Sequence, residues 1–500
     1  MTNKKSAIII GSGVAGLAIA TRLALQGFAV KVFERNAYPG GKLSMFTKDG
    51  YHFDAGPSLF TQPQNIEELF EAASEPIQEY FNYKRIDVAC SYFFENGKTV
   101  KAFTHAQAFA EELEKQTGEQ KNTVLDYLSG SKKLYANIGS IFLNYSLHKR
   151  STWWHKRFFT AFKTFKFSYL FKSLHKYNTT KFKTPEACQI FNRFATYNGS
   201  NPYKAPAMLS LIPHLEMNEG TFYPQGGMIS ITNALYNLAL KKGVQFYFST
   251  PVSSIIHTQG RAYGVVVDKE NIYADILVSN ADIYFTYKNL LNHTNKANQV
   301  LKQERSSSAI IFYWGINKSF DELGLHNIFF SSNYKEEFNN IFNKKTLFQD
   351  PTVYINISSK EDATHAPANK ENWFVMINVP ANSGQNWEQL IMQARENIIK
   401  KLNRLLQTDI EPLIESETIL DPILIEERTG SFMGSLYGSS SNSRMAAFLR
   451  PPNFTGYIKN LYHCGGSVHP GGGIPLCLKS AAIIAAIIKK DFKEKPLSSH

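Results

Sequence analysis

Residues 7–42 read AIIIGSGVAGLAIATRLALQGFAVKVFERNAYPGGK, and this stretch decides the fold. Ile8, Ile9 and Ile10 predict a buried strand. Gly11, Gly13 and Gly16 then supply a G-x-G-x-x-G turn: the first allows the bend, the second lets a pyrophosphate approach the backbone, and the third lets helix and strand pack closely. A helix is expected from about Val14 to Gln26, with its bare N–H groups and positive dipole end directed at the phosphates. Gly27 fits a C-cap and Ala29 to Phe33 a second strand. Glu34 follows at the position where an acidic side chain accepts the ribose 2′-OH, so the expected ligand is an adenine dinucleotide without a 2′-phosphate.

The chain has 500 residues, 43% of them hydrophobic and 13% aromatic, enough for a sizeable core in two or more structural units. The opening MTNKK and the apolar run after it imitate a signal peptide, but glycines at the required turn positions argue against that reading. The longest apolar run, residues 476–488, contains Lys479 and is too short to span a bilayer. Cys90, Cys188, Cys464 and Cys477 show neither a C-x-x-C pair nor metal-ligand spacing, which predicts free thiols in a reducing, cytoplasmic setting and no metal site.

The net charge of +12 is unevenly placed. Between Tyr127 and Pro185 there is no Asp or Glu, whereas Lys132, Lys133, Lys149, Arg150, Lys156, Arg157, Lys163, Lys166, Lys172, Lys176, Lys181 and Lys183 all fall there and account for the whole excess. Within this region Trp154, Phe158, Phe162, Phe165 and Tyr169 recur at helical spacing, with Lys156 and Lys163 on the opposite face. An aromatic face backed by a cationic one suits a helix lying in an anionic membrane interface. A core-packed helix with a solvated basic face is the alternative. No recognition motif for nucleic acid accompanies the charge.

After the opening unit comes a long aromatic-rich insertion. A helical pattern at about Ser230 to Lys241 follows, then a strand at Val244–Phe248, a two-stranded element around Tyr263–Val267, and the buried strand in ADILVSNAD, residues 274–282. Strand-like runs at Ala309–Tyr313, Thr352–Ile357 and Trp373–Asn378 mark a second lobe. The chain then returns to a short strand at Leu461–Cys464, a glycine-rich loop through Gly465, Gly466 and Gly473, and a helix from about Leu476 to Lys489. So little side-chain bulk at a strand-to-helix junction lets a planar ring lie against the backbone while a helix N-terminus faces it. A reduced flavin carries negative charge that such a dipole stabilises.

Gly40-Gly41-Lys42 resembles the GG(R/K) turn of flavoproteins of the amine-oxidase and carotenoid-desaturase superfamily, which favours FAD over NAD. GSGVAGLAIATRLALQG, GGKLSMFTKDGYHFDAGPSLFT, FNRFATYNGSNPYKAPAML, TFYPQGGM, ADILVSNADIYFTY and LYHCGGSVHPGGGIPLCLKSAA resemble bacterial-type phytoene desaturases over essentially the full chain. GGKLSMFTKDGYHFDAGPSLFTQP and ENWFVMINVPANSGQNWEQLI are most similar to the 1-hydroxycarotenoid 3,4-desaturase branch. Lys42 departs from the commoner family arginine: it keeps a charge near the pyrophosphate but loses the bidentate fork.

The resemblance implies an α/β fold: a Rossmann-like, amine-oxidase-like FAD-binding domain with an inserted α+β substrate domain. The expected FAD domain is discontinuous, residues 1–70, 215–285 and 425–492. Residues 71–214 and 286–424 form the substrate-binding, membrane-associating domain, and 493–500 a tail. It further implies an FAD-dependent oxidoreductase acting on CH–CH bonds of a long apolar polyene in carotenoid biosynthesis, with oxygen or a quinone as electron acceptor, at the inner face of the cell membrane. A flavin-dependent polyene isomerase and an amine-oxidase-like oxidase are the alternatives.

Expected cofactor-binding residues are Gly11, Gly13, Gly16, Glu34, Gly40, Gly41, Lys42, Gly56, Pro57, Val252, Gly465, Gly466, Gly473 and Ile474. Asp54 and His469 are the polar residues nearest the flavin by motif, either as proton-transfer groups or as bonds to a loop or to FAD. Glu216 and Arg193 are weaker candidates, read as helix-surface or interdomain ion-pair residues.

Overall fold

The computed structural model describes residues 4–149, 152, 168–443 and 450–493. The opening strand, Ser6–Ile10, lies in the middle of a five-stranded, all-parallel sheet. Its neighbours are Ala29–Phe33 and Ile276–Ser279, with Gln245–Tyr247 and Leu461–His463 at the two edges. Three separated stretches of chain thus build one sheet. Residues 7–10 are buried on both faces, as a central parallel strand requires. Ala7 and Ile9 pack beneath the helices Val14–Leu25, Ile229–Lys241 and Ile474–Lys493, whereas Ile8 and Ile10 face an antiparallel three-stranded sheet.

That smaller sheet comprises Val252–Thr258, Arg261–Val267 and Glu270–Tyr273. The two-stranded expectation missed the first of these, whose Ser253, Ser254 and His257 break any apolar alternation. The C-terminal helix begins at Ile474, two residues before the expected start. Pro475 is tolerated in its first turn because the N–H it lacks has no intrahelical partner there.

The second lobe is a seven-stranded sheet in the order Ile414–Leu420, Ser308–Ile316, Glu371–Val379, Val353–Asn356, His326–Phe329, Val88–Phe93, Thr99–Phe103. Val88–Phe93 runs parallel to His326–Phe329, so two stretches more than two hundred residues apart share one sheet. Along Ser308–Ile316 the two-residue alternation sends Ile310, Phe312 and Trp314 to a core closed by the helix Trp387–Leu406. Ala309, Ile311 and Tyr313 face the other way, towards the first lobe. Helices Ala106–Thr117, Lys121–Leu134 and Pro185–Asn192 cover the far end with an aromatic core that includes Phe109, Tyr127 and Phe191. No helix among the described residues is long and apolar enough to cross a membrane. Most of the basic aromatic segment, residues 153–167, lies outside the described residues.

Candidate functional site

A cavity of about 620 Å³ runs from the carboxyl ends of the parallel strands into the second lobe. Open α/β sheets bind ligands at that edge. All the expected cofactor residues except Gly16 line it. Gly16 is needed for packing: a Cβ there would fall 2.2 Å from the Gly11 carbonyl oxygen. Gly13 is as constrained, since its Cβ would sit 2.8 Å from Asn280 Oδ1. The helix that starts beyond it has no side-chain cap from its N-cap residue, leaving the Val14 and Ala15 N–H groups for an anion. Glu34, almost fully buried, accepts from the Ser12 N–H at 2.7 Å, the Ser12 hydroxyl at 2.9 Å and the Asn36 N–H at 2.9 Å. A carboxylate has about four lone-pair sites, so capacity for a ribose hydroxyl remains.

The Gly40-Gly41 turn folds back on this loop. The Gly40 N–H donates to the Ser12 carbonyl at 2.9 Å, and Gly41 packs against Gly13. Lys42 reaches inward and donates to the Leu436 carbonyl at 2.8 Å. Burial pushes its ammonium down to about 8, partly countered by Asp282. A Cβ at Gly56 would overlap the Lys42 carbonyl, so this turn and Pro57 lie tight against the cavity wall. Across the cavity, Gly465 abuts the Asn280 amide, and Gly473, at φ +108°, has open space where a side chain would project.

Asn280, to which no role attaches at the level of sequence, ties these pieces together. Its Oδ1 accepts from the Gly16 N–H at 3.1 Å and its Nδ2 donates to the Cys464 carbonyl at 3.2 Å. Its place just after a strand beside the first one is the sequence signal for it. Arg450, another unassigned residue, is buried in the wall with Nη1 on the Tyr437 and Gly466 carbonyls and Nη2 without a partner. Burial lowers it to about 10. A guanidinium to which no carboxylate among the described residues is bonded, a helix start whose first N–H groups carry no side-chain cap, and the clear space at Gly473 together fit an anionic dinucleotide with a flat ring.

Neither Asp54 nor His469 lines the cavity. Asp54 Oδ2 accepts from the Met228 N–H at 3.0 Å, fixing the start of the helix Ile229–Lys241. His469 is wholly buried, with Nε2 2.9 Å from the Tyr145 carbonyl and its ring edge-on to Phe142; burial pushes it down to about 4. Both contacts are of the loop-holding kind.

Arg193 and Glu216, in contrast, are not on a helix surface. They form a buried ion pair at 2.8 and 3.0 Å in the cavity wall, and the Tyr197 hydroxyl also bonds Glu216. Near them Tyr354 bonds Ser58 and His326, each at 2.8 Å. Arg193, Tyr197 and Ser58 lie within motif stretches quoted above, whereas Tyr354 and His326 lie in none of them. Apolar side chains, among them Phe142, Leu143, Leu209, Ile212, Ile311 and Phe374, make up most of the remaining wall, with polar groups such as Gln62, Thr196 and Asn378 between them. Among the described residues no cluster could hold a metal ion.

Residues 14–488 match the family of flavin containing amine oxidoreductases. The chain is 50% identical to a 1-hydroxycarotenoid 3,4-desaturase of Flavobacterium sp. (strain P99-3), with 97% of this chain and 99% of that protein covered. It is 32% identical to a phytoene desaturase of Fusarium fujikuroi, covering 98% and 90%. Among solved structures, an oxidoreductase from Methanosarcina mazei superimposes with a TM-score of 0.65 at 14% identity, over 97% of this chain and all of that one. Putrescine oxidase bound to putrescine gives 0.63 at 14%, over 98% and 99%. At that identity the structures speak for the fold alone.

Proposed function

The chain belongs to the flavin containing amine oxidoreductase family, and we propose that within it the protein is an FAD-dependent carotenoid desaturase acting on an acyclic polyene of the phytoene or 1-hydroxycarotenoid type. The observation that carries this reading is the continuity of the cavity: a dinucleotide cradle at the sheet edge opens into an apolar chamber between the lobes. The half-sequence identity to a 1-hydroxycarotenoid 3,4-desaturase over nearly the whole of both chains supports it.

Each desaturation converts CH2–CH2 to CH=CH by removing a hydride and a proton. Bound FAD supplies the two-electron acceptor. The glycines at 13, 41 and 473 would leave room for it, Glu34 would hold the adenosine ribose, and Lys42 and Arg450 would face its negative charge. The apolar walls exclude water and align the chain, so binding along inert parts of the polyene positions the reacting bond. A quinone or oxygen would be the final electron acceptor.

The substrate dissolves in a bilayer, and we place the protein peripherally on the inner face of the cell membrane. The wall residues Phe142 and Leu143 precede by about ten positions the basic aromatic segment that begins at Trp153. Expression in a host that accumulates defined acyclic carotenes tests the activity. Products lighter by two hydrogens per step, with absorption shifted to longer wavelength, are expected. Isomers of unchanged mass would indicate a polyene isomerase, and unchanged pigment would refute the reading.

A further inference from the structure

The helix Pro422–Thr429 ends at the rim of the cavity, and its last carbonyls show how that rim is closed. The final carbonyls of a helix have no partner within it. Here the Glu426 carbonyl accepts from the Gly430 N–H at 2.7 Å, as Gly430, at φ +66°, turns the chain out of the helix. The next two carbonyls are met from the cofactor unit. Arg35 Nη2 donates to the Glu427 carbonyl at 2.6 Å, and Asn36 Nδ2 donates to the Arg428 carbonyl at 3.3 Å. The guanidinium also lies against Gly430, with Nη2 3.6 Å from where a Cβ would stand. A cation is favoured at this end of a helix by the dipole as well.

Both donors directly follow Glu34, the carboxylate expected to meet the ribose. The Asn36 N–H donates to Glu34 Oε1 at 2.9 Å, so one residue bonds that carboxylate through its backbone and the helix end through its side chain. The segment itself is fixed to the sheet side: the Thr250 N–H donates to the Glu34 carbonyl at 2.8 Å and the Ser249 N–H to the Asn36 carbonyl at 3.0 Å. The helix belongs to the other side, where Ile425 packs with Leu420, Ile311 and Tyr313 of the second lobe. Arg35, Asn36, Thr429, Gly430 and Ser431 all line the cavity, and Arg35 is exposed to solvent too, so the cavity meets solvent at this rim.

We propose that Arg35 and Asn36 are positioning residues that clasp the end of the helix Pro422–Thr429 across the adenosine end of the cradle, and so set the rate at which FAD enters and leaves. The two bonds run from protein to protein. A contact that the ligand does not touch has no differential affinity to transmit, so loosening it speeds entry and exit by the same factor and leaves the affinity in place. The inference rests on FAD as the cofactor and not on the polyene that is oxidised.

The test compares FAD-loaded wild type with a double variant, Arg35→Met and Asn36→Leu. Both replacements keep much of the side-chain volume and lose the donors, and the Asn36 N–H to Glu34 stays. Exchange of bound FAD for labelled FAD in solution gives the dissociation rate, flavin fluorescence titration gives Kd, and their ratio gives the association rate. Loss of two hydrogen bonds, one of them from a cation, should raise both rates by on the order of tenfold and leave Kd within roughly threefold of wild type. Arg35→Lys keeps a cation able to donate to a carbonyl and should exchange FAD more slowly than Arg35→Met. The single variants Arg35→Met and Asn36→Leu should each raise both rates by roughly threefold, and they carry the test if the double variant does not fold.

A dissociation rate that rises alone, with Kd weakened by the same factor, would mean that these side chains hold FAD itself and would overturn the clasp. Wild-type rates in every variant would overturn it equally. Either result leaves the desaturase reading standing, whereas normal FAD exchange in a protein that desaturates no polyene would sink only that reading. A wild type that takes up no FAD would sink the cofactor assignment and the proposal with it.

Discussion

Lowering the pH from 7.5 to 5.5 should destabilise the folded protein by a calculable amount. Burial holds His326 and His463 at about 3 and His469 at about 4. All three are at most 3% exposed, so solvent screening does not dilute the effect. In the unfolded chain each returns to about 6.5. Between those values the unfolded state binds protons that the folded state refuses, so stability is complete above about 6.5 and falls as the pH drops towards 4.

At pH 5.5 each histidine costs about 1.4 kcal/mol, and the three together about 4 kcal/mol. Glu337 opposes them. Its buried carboxyl is pushed up to about 7, so the folded state takes up a proton in this range that the unfolded state does not, returning about 2 kcal/mol. A net loss near 2 kcal/mol is expected. His148, His175 and His365, also held below their ordinary values by burial, steepen it. Urea unfolding of the FAD-loaded protein at the two pH values, followed by far-UV circular dichroism and flavin fluorescence, measures the difference. His326→Phe should remove about one third of the histidine contribution. A midpoint that stays level or rises at pH 5.5 would refute the assignment of neutral buried imidazoles.

Gly13→Val should abolish flavin binding, because its Cβ meets Asn280 Oδ1 at 2.8 Å and its methyls enter the pyrophosphate path; a normal flavin spectrum would contradict this. Glu216→Leu strands the Arg193 charge and should cost about 3–5 kcal/mol, whereas Arg193→Met with Glu216→Leu should recover much of that loss in thermal melts. Equal melting of the single and double variants would argue against the buried pair. Gly473→Leu imposes φ +108° on a branched residue and directs it into open space, so flavin content should fall while far-UV circular dichroism persists. Reversing Lys156, Arg157, Lys163 and Lys166 to Glu should collapse binding to anionic liposomes, at about 1 kcal/mol per basic residue. Unaltered co-sedimentation would return the segment to the protein core.

The dinucleotide unit was legible in the sequence because its constraints are short-ranged. The turn at Gly11, Gly13 and Gly16 is imposed by contacts within a few residues, and so is the cadence of strand, helix and strand around it. A Cβ at Gly16 would meet a carbonyl only five positions away. The glycine loop before the C-terminal helix announced itself in the same way, as did the alternating strands of the second lobe.

The chamber was not legible. His326 lies in a strand whose four residues are all buried, so no alternation of burial marks the face, His326 and Ile328, that lines the cavity. Arg450 sits in no pattern at all. Arg193 and Glu216 read as helix-surface or interdomain ion-pair residues, and only the fold shows that they pair in a buried wall, while His326 reaches the cofactor cradle through Tyr354 and Ser58, the latter 296 positions from Tyr354. Glycine sterics and side-chain periodicity act along the chain and can be read from it. Which polar groups are desolvated together depends on the pairing of Val88–Phe93 with His326–Phe329 and on the closure of one lobe over the other, and burial settles that only when the whole chain has packed.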